Sequence, residues 1–462
     1  MFISENGYDS ESPRPLIFAG HRLFDALSSH MVVPLLEAYC CDYGESAMNA
    51  LAPEIHSIEE NSRQRARWTS ADIDQAVRLG IDRLRKYGGD IDILPYAVTS
   101  TCEELRQMGI IKQILGPEVI AREKFENKLK IKDLFAHLHL PVIPHSMLDS
   151  ARGSVEILTG DSRYPMVIRS PYGSTGAMTF LIRTDRELNE WAAMTAPISP
   201  TWFVEPFVKG PSVNVNAIAG GGQVYIYPPS LQLTGVPECT DHRMGFCGND
   251  FIQIDSVDLS AVNECLRQTG IIGMEMSRSG FRGCYGVDFI VDLEGTVYPC
   301  EINPRFQNST FLLNFAFQDE PKYAPTALHC SIFRDNAPTN ATGAVHLVAS
   351  THFAQAIIYA SGDNGPIDVE NAVHEGCYMQ ASTTSEASTL RTTDTNPNRL
   401  RNNEYLVAGS VPLPGTTVEG GAPVAKIVAK KSMGTPDGTA LQPWARTVAT
   451  ALSRRLGVRS DG

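Results

Sequence analysis

The sequence lacks most of the marks that point to a membrane, a disulfide framework or a nucleic-acid partner. No apolar run approaches the roughly 20 residues needed to span a bilayer. Its 462 residues carry 39 Lys and Arg against 52 Asp and Glu, a formal net charge of −13. No basic stripe interrupts that acidic background, which argues against a nucleic-acid surface; a nucleotide, needing only a local cluster of donors, is not excluded. The 10 cysteines are scattered, Cys40 and Cys41 are adjacent, and no C-x-x-C occurs. Reduced, buried thiols in a cytoplasmic protein are therefore expected, and a metal or disulfide framework is not. The opening residues, MFISENGYDSESPRPLIF, hold acids and prolines where a secretory leader would have a basic end and an apolar core. There is no internal repeat and no long low-complexity tract.

What is present is an ordinary globular composition, 43% hydrophobic, 20% charged and 8% aromatic, in a chain too long for one core. From residue 15 to about 120, strand-like pieces (PLIFAG, IDILPYAV) alternate with helical ones (ADIDQAVRLGIDRLRKYGG, CEELRQMG), the pattern of an α/β layer domain. REKFENKLKIKDLFAHL predicts one amphipathic helix stopping near Pro141. Residues 163–184 read as strand, glycine loop, strand; a helix (DRELNEWAAM) and two or three strands follow. Beyond about 330 the composition shifts to Ser, Thr, Asn and Gly with β-like pieces, closing on a helix, LQPWARTVATALSRRL. TTSEASTLRTTDTNPNRLRNN predicts a mobile surface loop. The domain expectation is 1–120, 121–200, 201–325 and 326–462.

The stretch YGVDFIVDLEGTVYPCEINPRFQ places two acids in runs that otherwise read as buried strand. With GVDFIVD and VYPCEIN as antiparallel strands around a two- or four-residue turn at LEGT, paired residue numbers sum to 589. Asp288 then lies opposite Glu301, with Cβ atoms roughly 4.5–5.5 Å apart. Asn303 faces the same way, and Arg305 follows just past the strand. Two carboxylates and an amide oxygen suit Mg²⁺; an internal ion pair with Arg282 or Arg305 is the alternative. An odd-numbered turn would place the acids on opposite faces.

SPYGSTGAM brings Gly173 and Gly176 around Ser174 and Thr175, so backbone N–H groups and hydroxyls can approach phosphate oxygens. It is neither a P-loop nor a dinucleotide fingerprint, because it joins two strands and G-x-x-x-x-G-K-[ST] is absent. Arg169 ends the incoming strand with a permanent cation.

Lys128 opening a helix, VIR before the glycine loop, VEPFV after it and GVDFIVD…VYPCEINPRFQ at the end together resemble the ATP-grasp superfamily, over about residues 120–312. The resemblance implies a fold of α/β and α+β parts: two α+β subdomains clamping ATP, with an N-terminal α/β domain and a C-terminal β-rich extension. It implies that Lys128 and Arg169 contact the α- and β-phosphates and that Gly173, Ser174, Thr175 and Gly176 form a lid over the β- and γ-phosphates. Glu205, Pro206, Phe207 and Val208 would hold adenine through backbone groups. Asp288, Glu301 and Asn303 would bind one or two Mg²⁺, with Mn²⁺ as a substitute, and Arg305 would steady the transferred phosphoryl group. Arg169 stands where a lysine is commoner, and Ser212, with Asn214 beside it, stands where an acid usually meets the ribose.

The implied activity is ATP-dependent carboxylate–amine ligation through an acyl phosphate, on amino acids or peptides, of the kind that builds peptide natural products. The partners are then a small-molecule carboxylate and an amine, with no nucleic acid and no membrane, and a homodimer is left open. An ATP-grasp kinase or carboxylase, or a catalytically silent nucleotide-binding regulator, are the competing expectations. Arg282, just before the metal strand, is a candidate substrate contact. His242 and Arg243 in GVPECTDHRMGFCGNDF are candidates for a substrate carboxylate, against a plain surface loop. His137, His139 and His145 read as satisfied or exposed histidines, not ligands. Cys284 and Cys300 have no partnered base in sequence and are not expected to act as nucleophiles.

Overall fold

A computed structural model describes residues 14–459 apart from 45–52, 149–163, 174, 175, 177, 196–200, 335–342, 350, 363–364, 381–387 and 410. The N-terminal part is a parallel five-stranded sheet in the order Glu54–Ser57, Glu37–Cys40, Leu16–Gly20, Asp92–Pro95, Gln113–Ile114. LIFAG is buried at every position, as expected of a central parallel strand covered on both faces. Leu16–Gly20 has Glu37–Cys40 on one side and Asp92–Pro95 on the other. The strand order therefore reverses between the first and last of these. Such a switch point opens a crevice at the carboxyl ends of the strands, and His21, Arg22 and Tyr96 occupy those ends here.

Next comes an antiparallel four-stranded sheet in the order Ser146–Leu148, Trp202–Pro206, Met166–Arg169, Thr179–Ile182. The helix Asp185–Thr195 packs Trp191 against Trp202 in its core. A twelve-stranded sheet carries the rest. It begins at Val297–Asn303 and Gly283–Val291, passes through Ser212–Gly220, Ser230–Thr234 and Phe246–Asp250, and continues without a break into Ala354–Tyr359 and Pro423–Ala429. The C-terminal region thus extends the sheet that holds the acidic hairpin, and its residues Tyr359, Gly421 and Pro423 reach the same cavity. All ten cysteines are buried and unpaired, and no helix of the described residues is long and apolar enough to cross a membrane.

Three local expectations change. The helix expected over 122–138 is two helices, Val119–Glu126 and Lys130–His137. Asn127 leaves helical geometry and its Oδ1 accepts the Leu129 and Lys130 N–H groups at 3.0 Å each, ending one helix while capping the next. Lys128 sits in that break, and its N–H donates to Pro171 O beside the glycine loop (2.9 Å). The expected loop over 383–403 holds the strand Thr389–Thr392, paired with Gly376–Met379, and a short helical turn at Pro397–Arg399; residues 383–387 of it lie outside the described set. Arg391 there is tied to the buried Glu404 at 2.7 Å.

The third change concerns the hairpin. The segment between the strands, Asp292–Thr296, has five residues, an odd number. Near the turn the partners are Val291↔Val297 and Phe289↔Pro299, a sum of 588. A β-bulge at Cys300 then adds one residue, and Asp288↔Glu301, Val287↔Ile302 and Gly286↔Asn303 pair at 589. The expected facing of the two acids holds, but through a bulge and not through an even turn.

Candidate functional site

A cavity of about 660 Å³ lies where the parallel sheet, the four-stranded sheet and the long sheet meet. Asp288 and Glu301 stand on its wall because period-two alternation sends Val287, Phe289 and Val291 into the core behind them. Asp288 Oδ1 accepts from Asn214 Nδ2 (2.7 Å) and Gln232 Nε2 (3.0 Å), and its Oδ2 accepts from Asn303 Nδ2 (3.0 Å). Three neutral amides surround it. Burial first, and the facing Glu301 second, push the Asp288 carboxyl from 3.8 up to about 6.

Glu301 is held differently. Its Oε2 lies 3.2 Å from Lys128 Nζ and 3.4 Å from Arg169 Nη2. Neither Arg282 nor Arg305 is its counter-ion. Lys128 also donates to Gly173 O, tying this cation to the glycine loop. Burial lowers the Lys128 ammonium from its ordinary value, against the pull of Glu301. Arg169 Nη1 lies 3.5 Å from Glu205 Oε2, and the Arg169 Nε is buried without a partner. Arg305 Nη2 donates to Asn303 Oδ1 (3.1 Å) and its Nη1 to the Tyr96 hydroxyl (3.1 Å), with the guanidinium over the Tyr96 ring.

Behind Asp288 is a polar bed. Asn214, Asn216, Gln307, Ser309 and Thr310 exchange six side-chain hydrogen bonds of 2.6–3.3 Å. Gln307 also begins the helix Asn308–Ala316 in a capping arrangement with Thr310. Gly286 is the residue this bed demands, since a Cβ there would fall 1.5 Å from Gln307 Nε2. Gly176 (φ +79) is equally constrained: a Cβ would meet Met244 O at 2.1 Å, so the glycine loop rests on the 242–245 turn.

The other predicted positions divide. Gly173, Gly176, Pro206, Phe207, Val208 and Ser212 line the cavity. Ser174 and Thr175 lie outside the described residues. In the Glu205–Val208 segment, Pro206 has no N–H and the Phe207 N–H is taken by Pro165 O (3.0 Å); the segment lines the cavity together with the apolar Ile143, Val167 and Ile290. The Glu205 carboxylate turns away to Lys132 and Arg169. Arg282 is not brought to the site: its guanidinium covers the Phe333 ring at 4.7 Å. Arg243 pairs instead with Glu187 at 2.9 Å, and His242 lines a smaller neighbouring pocket. His137, His139 and His145 belong to no metal-like cluster among the described residues.

Sequence reasoning passed over Lys132, four residues beyond Lys128 in the following helix, whose ammonium is buried against Glu205. The spacing of four was the available signal. It also passed over Gln232, Asn216, Gln307, Ser309 and the whole N-terminal end of the cavity (His21, Arg22, Arg67, Trp68, Thr69 and Tyr96). No local motif marks those positions.

The donor set fits a hard divalent cation. Two carboxylates face each other, burial and the facing Glu301 push the Asp288 carboxyl up, and Asn303 offers an oxygen once it turns from Arg305. Lys128 and Arg169 converge on Glu301, and Arg305 lines the same cavity, a set of cations able to meet phosphate oxygens.

Residues 121–309 match the family model for the ATP-grasp domain. This segment is an ATP-grasp domain. Among curated proteins, the [butirosin acyl-carrier protein]–L-glutamate ligase of Niallia circulans is 21% identical over 260 residues, 53% of this chain and 58% of that protein. The chain therefore spans somewhat over half the length of that relative. Of solved structures, the biotin carboxylase domain of Hydrogenobacter thermophilus 2-oxoglutarate carboxylase, complexed with MgADP, ADP and bicarbonate, superposes with a TM-score of 0.58 at 13% identity, covering 90% of this chain and 86% of that one. Carboxyaminoimidazole ribonucleotide synthase from Aspergillus clavatus, complexed with ATP, gives 0.54 at 13% identity over 96% and 99%. At such identities the likeness is one of fold. Both superpositions cover at least 90% of the chain, so the likeness of fold extends beyond the matched segment.

Proposed function

We propose that the protein is an ATP-dependent carboxylate–amine ligase that activates an acid as its acyl phosphate and passes the acyl group to an amine, forming an amide with release of ADP and phosphate. The observation that carries this reading is the facing pair Asp288 and Glu301 on the wall of a cavity that Lys128, Arg169 and Arg305 also line. The likeness to a curated ligase that joins glutamate to a carrier protein supports it.

In this reading Pro206–Val208 hold adenine against Ile143, Val167 and Ile290, and Ser212 and Asn214 approach the ribose. Lys128 and Arg169 exchange Glu301 for phosphate oxygens, so nucleotide binding frees that carboxylate. Mg²⁺ held by Asp288, Glu301 and Asn303 would neutralise the triphosphate. Gly173 to Gly176 cover the phosphates and exclude the water that would hydrolyse an acyl phosphate. Arg305, steadied by Tyr96 and Asn303, stabilises the charge that develops as the substrate carboxylate attacks the γ-phosphorus. No protein nucleophile takes part. Burial pushes the Cys284 and Cys300 thiols up to about 12, which keeps them as inert thiols.

Carboxylation is the second reading, favoured by the fold likeness to carboxylating enzymes; bicarbonate would then take the place of the acid. ADP release with Mg²⁺-ATP and pooled acids and amines tests both. Release that needs a carboxylic acid and an amine together supports the ligase, and release with bicarbonate alone supports the carboxylase. No ADP release under any combination overturns both.

A further inference from the structure

Besides Arg169 Nε, four buried polar atoms on residues lining the cavity have no partner. Arg22 Nη1, Trp68 Nε1, Tyr359 OH and Asn308 Oδ1 are all buried and make no hydrogen bond, and all four residues line this one cavity. Leaving such groups unpaired costs about 1–3 kcal/mol each, so a native protein rarely gathers four in one cavity unless something else completes them. They arrive from three separate regions. Arg22 follows the central parallel strand and Trp68 precedes the helix Ser70–Leu79, Asn308 opens the helix behind the acids, and Tyr359 ends a strand of the C-terminal extension.

The chemistry of the set is that of a receptor for an anion. Three of the four atoms belong to donor groups, and one of them is a guanidinium. Arg67 lines the same cavity. His21, beside Arg22, adds no second charge: burial and then Arg22 lower its imidazolium to about 4, so the ring is neutral near pH 7. The location is the carboxyl-end crevice at the switch point of the parallel sheet, where an α/β layer binds small ligands. The Tyr96 ring lies 5.1 Å from the His21 ring and 5.6 Å from the Arg305 guanidinium. Arg305 and Arg22 both line the cavity, so one ligand can meet both.

We propose that the acid substrate carries a second anionic group, a carboxylate or a phosphate, held by Arg22 Nη1, Trp68 Nε1 and Tyr359 OH while its reacting carboxylate lies at Arg305. The inference rests on the ligase reading and deepens it, since it names the substrate class: small dianionic acids in preference to their neutral amides or alcohols.

Calorimetric binding to the full chain with Mg²⁺-ADP present, paired with the ADP-release assay, tests it. The probes are L-glutamate against L-glutamine, glutarate against glutaramic acid, and O-phosphoserine against serine; the first two pairs report a second carboxylate and the third a phosphate. At least one dianion is expected to bind about tenfold to a hundredfold more tightly than its neutral counterpart. Tyr359→Phe removes one donor at nearly constant volume and Trp68→Phe removes another while keeping an aromatic ring, and each is expected to shrink that ratio several-fold without changing binding of the neutral member. Arg22→Leu is expected to bring the ratio near one. Equal binding within every pair overturns the proposal even if ADP release supports the ligase. Selective dianion binding that depends on Arg22 but never triggers ADP release keeps the anion subsite and overturns the ligase reading.

Discussion

Replacing Asp288 by asparagine is expected to abolish turnover and yet make the ligand-free protein more stable above neutral pH. Burial, with Glu301 opposite, raises the Asp288 carboxyl from 3.8 to about 6. Between those values the folded protein holds a proton that the unfolded chain has released. Stability therefore falls as pH rises through that window, and the deficit is complete above it. A shift of about two units corresponds to roughly 3 kcal/mol. Asparagine removes the charge and keeps an oxygen for Asn214 and Gln232, but sets an amide NH₂ against Asn303 Nδ2 and forfeits one hydrogen bond, about 1 kcal/mol. The net expectation is a gain of about 2 kcal/mol near pH 8 that turns into a loss of about 1 kcal/mol near pH 4. Thermal unfolding of both proteins in EDTA across that range reads it as a difference in Tm that changes sign. A variant destabilised equally at every pH would refute the reasoning, because Asp288 would then be a satisfied carboxylate with no need of a cation. Saturating Mg²⁺-ADP should invert the ranking by stabilising the parent protein and not the variant.

Glu301→Gln is expected to eliminate turnover while leaving the far-ultraviolet circular dichroism unchanged; parent-like ADP release would remove Glu301 from the metal set. Arg305→Ala should lower kcat by at least about a hundredfold and leave ATP affinity within a few-fold, since its partners Tyr96 and Asn303 place it at the reacting end. A variant that loses ATP affinity with kcat intact would give Arg305 a purely binding role. Gly286→Ala should destabilise by about 1–3 kcal/mol, because its Cβ displaces Gln307 and opens the bed behind Asp288. Denaturation with a midpoint equal to the parent's would show that the bed can shift freely.

The hairpin was legible in the sequence because period-two alternation and two acids in apolar runs leave few registers, and Asp288 does face Glu301. The reason was less legible. A five-residue turn and a bulge at Cys300 cancel, and no residue type in VYPCEIN announces a bulge. The break at Asn127 shows the same limit, since an amphipathic pattern carries straight across a capping asparagine whose hydrogen bonds depend on tertiary placement. Arg282 looked well placed because it is near the Asp288 strand in sequence, but its guanidinium is drawn to Phe333 on a helix about 50 residues later. The anion subsite was the least legible. Arg22, Trp68, Asn308 and Tyr359 are separated by tens to hundreds of residues, and only the packing of three regions reveals that their polar atoms share one deficit.

The most direct test of the central claim is a titration of Mn²⁺ into the protein with ADP present, followed by electron paramagnetic resonance, for the parent chain, Asp288→Asn and Glu301→Gln. The account predicts nucleotide-dependent Mn²⁺ binding by the parent that weakens at least about tenfold in either variant. Equal Mn²⁺ binding by all three proteins would contradict it, and Glu301 would then be no more than the counter-ion of Lys128 and Arg169.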